Sequence, residues 1–274
     1  VLEQKKDANG KNHFLMPASL SLALQYISYY SKAWNKHNVH SPFVYQLTTQ
    51  VIHPDKKLPV FEPIEEKRKA LKSNQNKIEF IELGAGDKSN VRSVSDIAAK
   101  SLKIPRYARL LFRLSNHFQP ENIIELGTSL GITTGYLALS GCKNIYTIEG
   151  NKTVSDIAHA TLTSLNLNKK IKFIQGNFDE SLPSLLHSLN KVDFVFFDGN
   201  HRYLPTINYF EQCLKKAHDK SVFVFDDINY SLEMKQAWKE IKQHPSVVVS
   251  IDLFMMGIVF FDTDLMRQHF VIRY

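Results

Sequence analysis

Residues 121–150, ENIIELGTSLGITTGYLALSGCKNIYTIEG, constrain the fold more than any other part of the 274-residue chain. They read as strand, glycine turn, helix and second strand, and the second strand ends on an acid, Glu149. Ile123 and Ile124 supply the short β-branched run that a buried parallel strand needs, and Gly127 lets the chain turn sharply where a Cβ would clash. Gly131 permits close backbone approach. The spacing predicts a helix over 133–140 whose N-terminal amides face the turn. Glu149 lies about twenty residues beyond the first glycine, where a carboxylate can accept both hydroxyls of a ribose. The unit therefore predicts an adenosine-containing ligand.

The dinucleotide fingerprint G-x-G-x-x-G is incomplete here. The order is Gly127, Thr128, Ser129, Leu130, Gly131, and the middle glycine is missing. Glu125, just before the turn, would repel a pyrophosphate and suits a cationic ligand, which points to S-adenosylmethionine (SAM). The stretch resembles motif I and the following acid of class I SAM-dependent methyltransferases, in particular O-methyltransferases of the catechol and caffeoyl-coenzyme-A type. The resemblance runs from about Arg106 to the C-terminus. It implies SAM contacts from Glu125, Gly127, Thr128, Ser129, Gly131, Thr133 and Glu149.

The later strands fit that fold. Ile171–Gln175, 192–197, Val222–Phe225, 247–253 and 256–261 are short apolar or β-branched runs bounded by polar or turn residues. Helical stretches separate all but the last two, which should form an antiparallel hairpin. The expectation is an α/β chain: a Rossmann-like, mostly parallel seven-stranded sheet with a C-terminal antiparallel hairpin, preceded by an N-terminal helical extension. Residues 105–274 form the expected methyltransferase domain and residues 1–104 the extension and cap.

Within the extension, residues 20–34 have helical spacing, and the run NVHSPFVYQL contains Pro42, which breaks or starts a helix. The His-Ser-Pro-Phe run resembles the N-terminal extension of a bacterial methyltransferase group. His37 and His40 are either within reach of the active site or ordinary surface and packing residues. A second glycine motif, Ile81-Glu82-Leu83-Gly84-Ala85-Gly86, follows an apolar stretch, but no second strand ending in an acid comes after it. It reads as a structured loop ahead of the core.

The chain is 43% hydrophobic, enough for a large core, and has no apolar run of about 18 residues to span a membrane. Two cysteines, Cys142 and Cys213, and an N-terminus without a signal-peptide pattern predict a soluble, cytoplasmic protein without disulfides. The net charge of +7 is concentrated early: residues 1–75 hold 11 Lys or Arg against 6 acids, leaving 23 against 21 for the rest. Solvated lysines explain this, and nucleic acid is a disfavoured partner. The oligomeric state is not legible, and a homodimer is compatible with the sequence.

Chemistry is expected at the carboxyl ends of the parallel strands. Asn177 and Phe178 follow the third strand, where the family pattern has adenine contacts, although Asn177 equally suits a helix cap. The fourth strand leads into Asp198-Gly199-Asn200-His201-Arg202-Tyr203 and the fifth into Asp226-Asp227-Ile228-Asn229. Neighbouring strands would bring Asp198 close to Asp226 and Asp227, and three carboxylates repel unless a cation or protons intervene. The resemblance implies that Asp198, Asp226 and Asp227 hold Mg²⁺, with Asp227 standing where the family has Asn. The competing reading has Asp198 orienting the ligand and Asp226 or Asp227 capping a helix. His201 occupies the neighbourhood of the catechol-type lysine base, so His201 and Asp198 are the catalytic candidates, His201 as general base or as an orienting residue. Arg202 and Tyr203 are candidates for an acidic or aromatic substrate. An Asn/Asp-Pro-Pro-aromatic run is absent after the fourth strand, which disfavours base N-methylation. The chain thus reads as a SAM-dependent methyltransferase acting on a small-molecule oxygen with magnesium assistance. An RNA- or protein-directed methyltransferase and a non-catalytic SAM-binding module are its rivals.

Overall fold

A computed structural model describes residues 3–6, 12–15, 18–35, 38–54, 58–82 and 88–274. The extension opens with an antiparallel strand pair, β1 (Glu3–Lys6) and β2 (Asn12–Leu15), followed by α1 (Ala18–Lys32). Next comes α2 (Pro42–Leu47), which runs on into a π-helical turn, Thr48–Ile52. Pro42 starts this helix rather than breaking it: it sits in the first turn, where its missing N–H costs nothing, and the Ser41 side chain accepts from the Val44 amide. His40 is exposed, and His37 lies outside the described residues.

The helix α3 (Glu62–Ser73) leads to a second antiparallel pair, β3 (Lys77–Glu82) and β4 (Lys88–Ser93), then to α4 (Val94–Ser101) and α5 (Pro105–Phe118). The extension carries helices, as expected, together with these two strand pairs. Ile81 and Glu82 belong to β3, with Glu82 opposite Lys88 across the pair. The remainder of the motif, Leu83 to Gly86, lies outside the described residues; β3 and β4 pair antiparallel, whereas a phosphate-binding βαβ turn joins parallel strands.

The core then alternates β5 (Asn122–Leu126), α6 (Ile132–Ala138), β6 (Asn144–Glu149), α7 (Lys152–Ser164), β7 (Ile171–Gln175), α8 (Phe178–Ser188), β8 (Phe194–Phe197), α9 (Tyr203–Leu214), β9 (Val222–Phe225) and α10 (Leu232–Gln243). It closes with β10 (Val249–Asp252), β11 (Gly257–Phe260) and β12 (Gln268–Val271). Among the described residues the sheet has the order β12-β10-β11-β9-β8-β5-β6-β7, in which β5 to β9 pair in parallel and β11 is antiparallel to both neighbours. The expected seven strands and terminal hairpin are present, and β12 adds an eighth, parallel to β10 at the edge. Its four residues, QHFV, mix polar and apolar types over too short a run for periodicity to reveal them. Trp34 continues this edge by bridging to Ile272.

Strand residues alternate between the two faces of the sheet. Ile123, Phe194 and Phe196 pack with α2 and α5 residues such as Val44, Leu47, Leu110 and Leu114. Ile124, Val195 and Phe197 face the opposite layer, where Leu182, Phe210 and Trp238 of α8, α9 and α10 cover them. A third cluster joins Ile64 and Ile97 of the extension to Phe112, Ile132 and Tyr136. The extension therefore shares its core with the sheet. That sharing fixes the α4–α5 link, with Lys103 in it, over the carboxyl end of β9.

Candidate functional site

Strand register assembles the site. Leu126 of β5 is level with Ile148 of β6 and Phe197 of β8, and Phe197 is level with Phe225 of β9. One residue further along each strand come Gly127, Glu149, Asp198 and Asp226, so the sheet itself sets these groups side by side.

Gly127 has φ +106°, and a Cβ there would lie 2.2 Å from the Asp198 carbonyl oxygen. Only glycine allows the turn to pass this close to the end of β8. Gly131, at φ +81°, instead abuts α7: an added Cβ would stand 3.1 Å from the Ala158 carbonyl oxygen. Between them Ser129 takes φ +48°, and its amide donates to Glu149 Oε2 at 2.9 Å. Glu149 Oε1 accepts from the Asn151 amide at 3.0 Å. Burial pushes the Glu149 carboxyl above its ordinary range against these amides, which favour the charged form.

Glu125 is completely buried. Its Oε2 accepts from the hydroxyls of Thr134 and Thr147, each at 2.6 Å, and its Oε1 has no hydrogen-bond partner. Desolvation raises its pKa to about 8, in spite of the two hydroxyls, so it is mostly protonated near neutrality.

A second cluster lies at the ends of β8 and β9. Asp198 and Asp226 are 12% and 1% exposed, and the Lys103 ammonium stands between them, hydrogen-bonded to Asp226 Oδ2 and 3.3 Å from Asp198 Oδ1. Asp226 Oδ1 has no hydrogen-bond partner. His201 Nε2 is 3.8 Å from Asp198 Oδ1 and 3.9 Å from Asp227 Oδ2. Burial raises the Asp198 pKa, and the positive charge of Lys103 opposes that rise. Asn200 and Asp227 both adopt left-handed φ values, +52° and +54°. Strained backbone thus collects at the carboxyl ends of these strands, as it does at binding sites.

Residues 124–228 match the family described as "Methyltransferase domain". Over these residues the chain carries a methyltransferase domain. Among curated proteins it is similar to the protein arginine N-methyltransferase PRMT10 of Arabidopsis thaliana, at 25% identity over 46% of this chain and 31% of that protein. It is also similar to a catechol O-methyltransferase of Niastella koreensis, at 25% identity over 45% and 57%. The matches thus span about a third to just over half of these relatives. Among solved structures, an O-methyltransferase from Bacillus cereus in complex with SAH has the same fold, with a TM-score of 0.55 and 20% identity over 80% of this chain and 97% of that one. So does the Streptomyces achromogenes O-methyltransferase TomG in complex with SAM, at a TM-score of 0.55 and 18% identity over 80% and 94%.

In this methyltransferase domain the predicted residues take distinct places. Gly127, Ser129 and Glu149 form one surface at the turn. Thr128 points inward, its hydroxyl 2.6 Å from that of Thr147, which leaves only its backbone for a ligand. Thr133 is buried in the first turn of α6. Asn177 caps α8 by accepting from the Asp179 amide at 3.2 Å, and Phe178 packs edge-on against Tyr209. Tyr203 donates its hydroxyl to Glu240 of α10, and Arg202 Nε donates to Asn200 Oδ1 at 2.8 Å. Sequence reasoning missed Thr134 and Thr147, which hold Glu125, and Lys103. Hydroxyls facing a buried acid leave no spacing signal, and Lys103 looks like any lysine in a basic extension.

The turn fits an adenosine-bearing ligand through Glu149, an acid at the ribose spacing whose carboxylate is held in place by the Ser129 and Asn151 amides. Magnesium fits less well. Among the described residues, Asp198, His201 and Asp226 bring single ligand atoms within 4.8 Å of one another, and Asp227 is not part of that group. The Lys103 ammonium already contacts both carboxylates of that group, and a hard dication beside it would meet like charge. Magnesium does not fit this arrangement.

Proposed function

We propose that the chain transfers a methyl group from SAM to an oxygen of a small molecule. The observation that carries this reading is the alignment of Glu149, Gly127, Asp198 and His201 along the carboxyl edge of the sheet. It has one ligand-binding acid on one side and a histidine beside carboxylates on the other. The O-methyltransferases among the similar structures support the same reaction.

Bound SAM supplies an electrophilic methyl group on a sulfonium. Glu149 would hold the cofactor by accepting the two ribose hydroxyls while its other lone pairs keep the Ser129 and Asn151 amides. Asp198 and the turn at Gly127 would position the acceptor, and positioning of this kind supplies most of the rate. His201 Nε2 would take the proton of the acceptor hydroxyl, and its conjugate acid would be stabilised by Asp198 and Asp227.

We take residues 105–274 as the catalytic domain and residues 1–104 as an extension that completes its core and site. No helix among the described residues is long and apolar enough to cross a membrane. The two buried free thiols, Cys142 and Cys213, support a reducing, cytoplasmic setting.

Calorimetric titration of SAM into the full chain and into Glu149→Ala tests the site. Losing two charge-assisted hydrogen bonds should weaken binding about 100-fold or more, from roughly 1.5 kcal/mol each. No SAM binding by the wild-type chain would refute the reading. Tight binding with no turnover on a broad panel of hydroxyl acceptors would replace it with a non-catalytic SAM-binding module.

A further inference from the structure

We propose that the Lys103 ammonium is the resident cation of the carboxylate cluster, standing where a divalent metal would otherwise sit, so that the chain binds no metal there. The inference rests on the proposed reaction only for its consequence in catalysis; the cation assignment itself rests on geometry.

Two carboxylates within reach of one point, one of them 1% exposed, need a positive charge or a proton to coexist. Lys103 meets that need from outside the strands that carry the acids. Its side chain is 13% exposed and contacts both Asp198 and Asp226. The contact is built rather than incidental. Arg68 of α3, itself 4% exposed, donates from Nη1 to the Lys103 carbonyl at 2.5 Å and is anchored by Glu65 at 2.9 Å. Ser101, two residues before Lys103, meets Ser129 of the glycine turn, hydroxyl to hydroxyl at 2.6 Å. The α4–α5 link is therefore pinned just before Lys103 and at its own carbonyl, and the ammonium is delivered to the cluster by the fold.

The chemistry follows from the donor count. An ammonium has three N–H groups, and two are directed to Asp198 and Asp226. The third serves one acceptor oxygen, whereas a divalent ion can chelate two neighbouring ones. Lys103 then holds a single hydroxyl oxygen of the acceptor and favours its deprotonation, while His201 takes the proton.

The test needs neither SAM nor turnover, so its failure is separable from failure of the methyltransferase reading. Mn²⁺ is titrated into the full chain, wild type and Lys103→Met, with the free ion followed by electron paramagnetic resonance and Mg²⁺ as competitor. The expected result is no uptake by the wild type and uptake of one Mn²⁺ by Lys103→Met, lost again in Lys103→Met/Asp226→Asn. Circular dichroism establishes that the variants fold. Wild-type uptake of one Mn²⁺, displaced by Mg²⁺ and lost in Asp226→Asn, would overturn the proposal whether or not Lys103→Met folds. A folded Lys103→Met that binds no more Mn²⁺ than the wild type would overturn it too, because the carboxylates would not form a cation site once vacated.

Discussion

Glu125 should make the stability of this protein fall as pH rises, and Glu125→Gln should remove that dependence. The folded chain holds the proton of Glu125 up to a pKa of about 8, because the carboxyl is fully buried and its two threonine donors do not offset the lost hydration. In the unfolded chain the same group releases its proton near pH 4.3. Between these values the folded state binds more protons than the unfolded state, so raising the pH favours unfolding. The penalty grows through this window and levels off above the folded pKa. Over pH 6 to 9 it amounts to about 2.5 kcal/mol at about 1.4 kcal/mol per pH unit, flattening near the top. Gln keeps an oxygen for Thr134 and Thr147 and cannot ionise. Urea unfolding of both proteins at half-unit pH steps isolates the effect, because other titrating groups cancel in the difference to first order. The stability of Glu125→Gln minus that of the wild type should climb by about 2.5 kcal/mol from pH 6 to 9. A difference flat within about 0.5 kcal/mol would mean that Glu125 is ionised in the fold and would refute the reasoning.

Two further substitutions probe how the site is built. Gly127→Ala places a Cβ 2.2 Å from the Asp198 carbonyl at a left-handed φ, so β5 and β8 must separate. A loss of more than about 2 kcal/mol in chemical denaturation is expected, together with loss of SAM binding. Asn177→Ala removes the cap of α8 and should cost about 1 kcal/mol in the same assay. If it leaves SAM affinity unchanged, Asn177 is a cap only; a tenfold loss would assign it a ligand contact as well.

The sequence alone determined the βαβ unit, the order of strands and the closing hairpin. Each rests on local signals: apolar runs of strand length, glycines at a turn, and an acid at a fixed spacing beyond it. The groups at the strand ends were legible for the same reason, since parallel strands in register bring Gly127, Glu149, Asp198 and Asp226 to one edge. Only the tertiary structure decided what these groups do to one another. Whether Glu125 faces a ligand or is sealed beneath it depended on the placing of Thr134 and Thr147. That β3, at the start of the second glycine motif, pairs antiparallel with β4 rather than entering a parallel βαβ unit was set by its partner strand. The charge between Asp198 and Asp226 came from Lys103, 95 and 123 residues away along the chain, on a link fixed by the shared packing of α3, α4 and α5. Local propensity reports what a segment can form. Burial and ion pairing arise between segments, and only the packed chain assigns them.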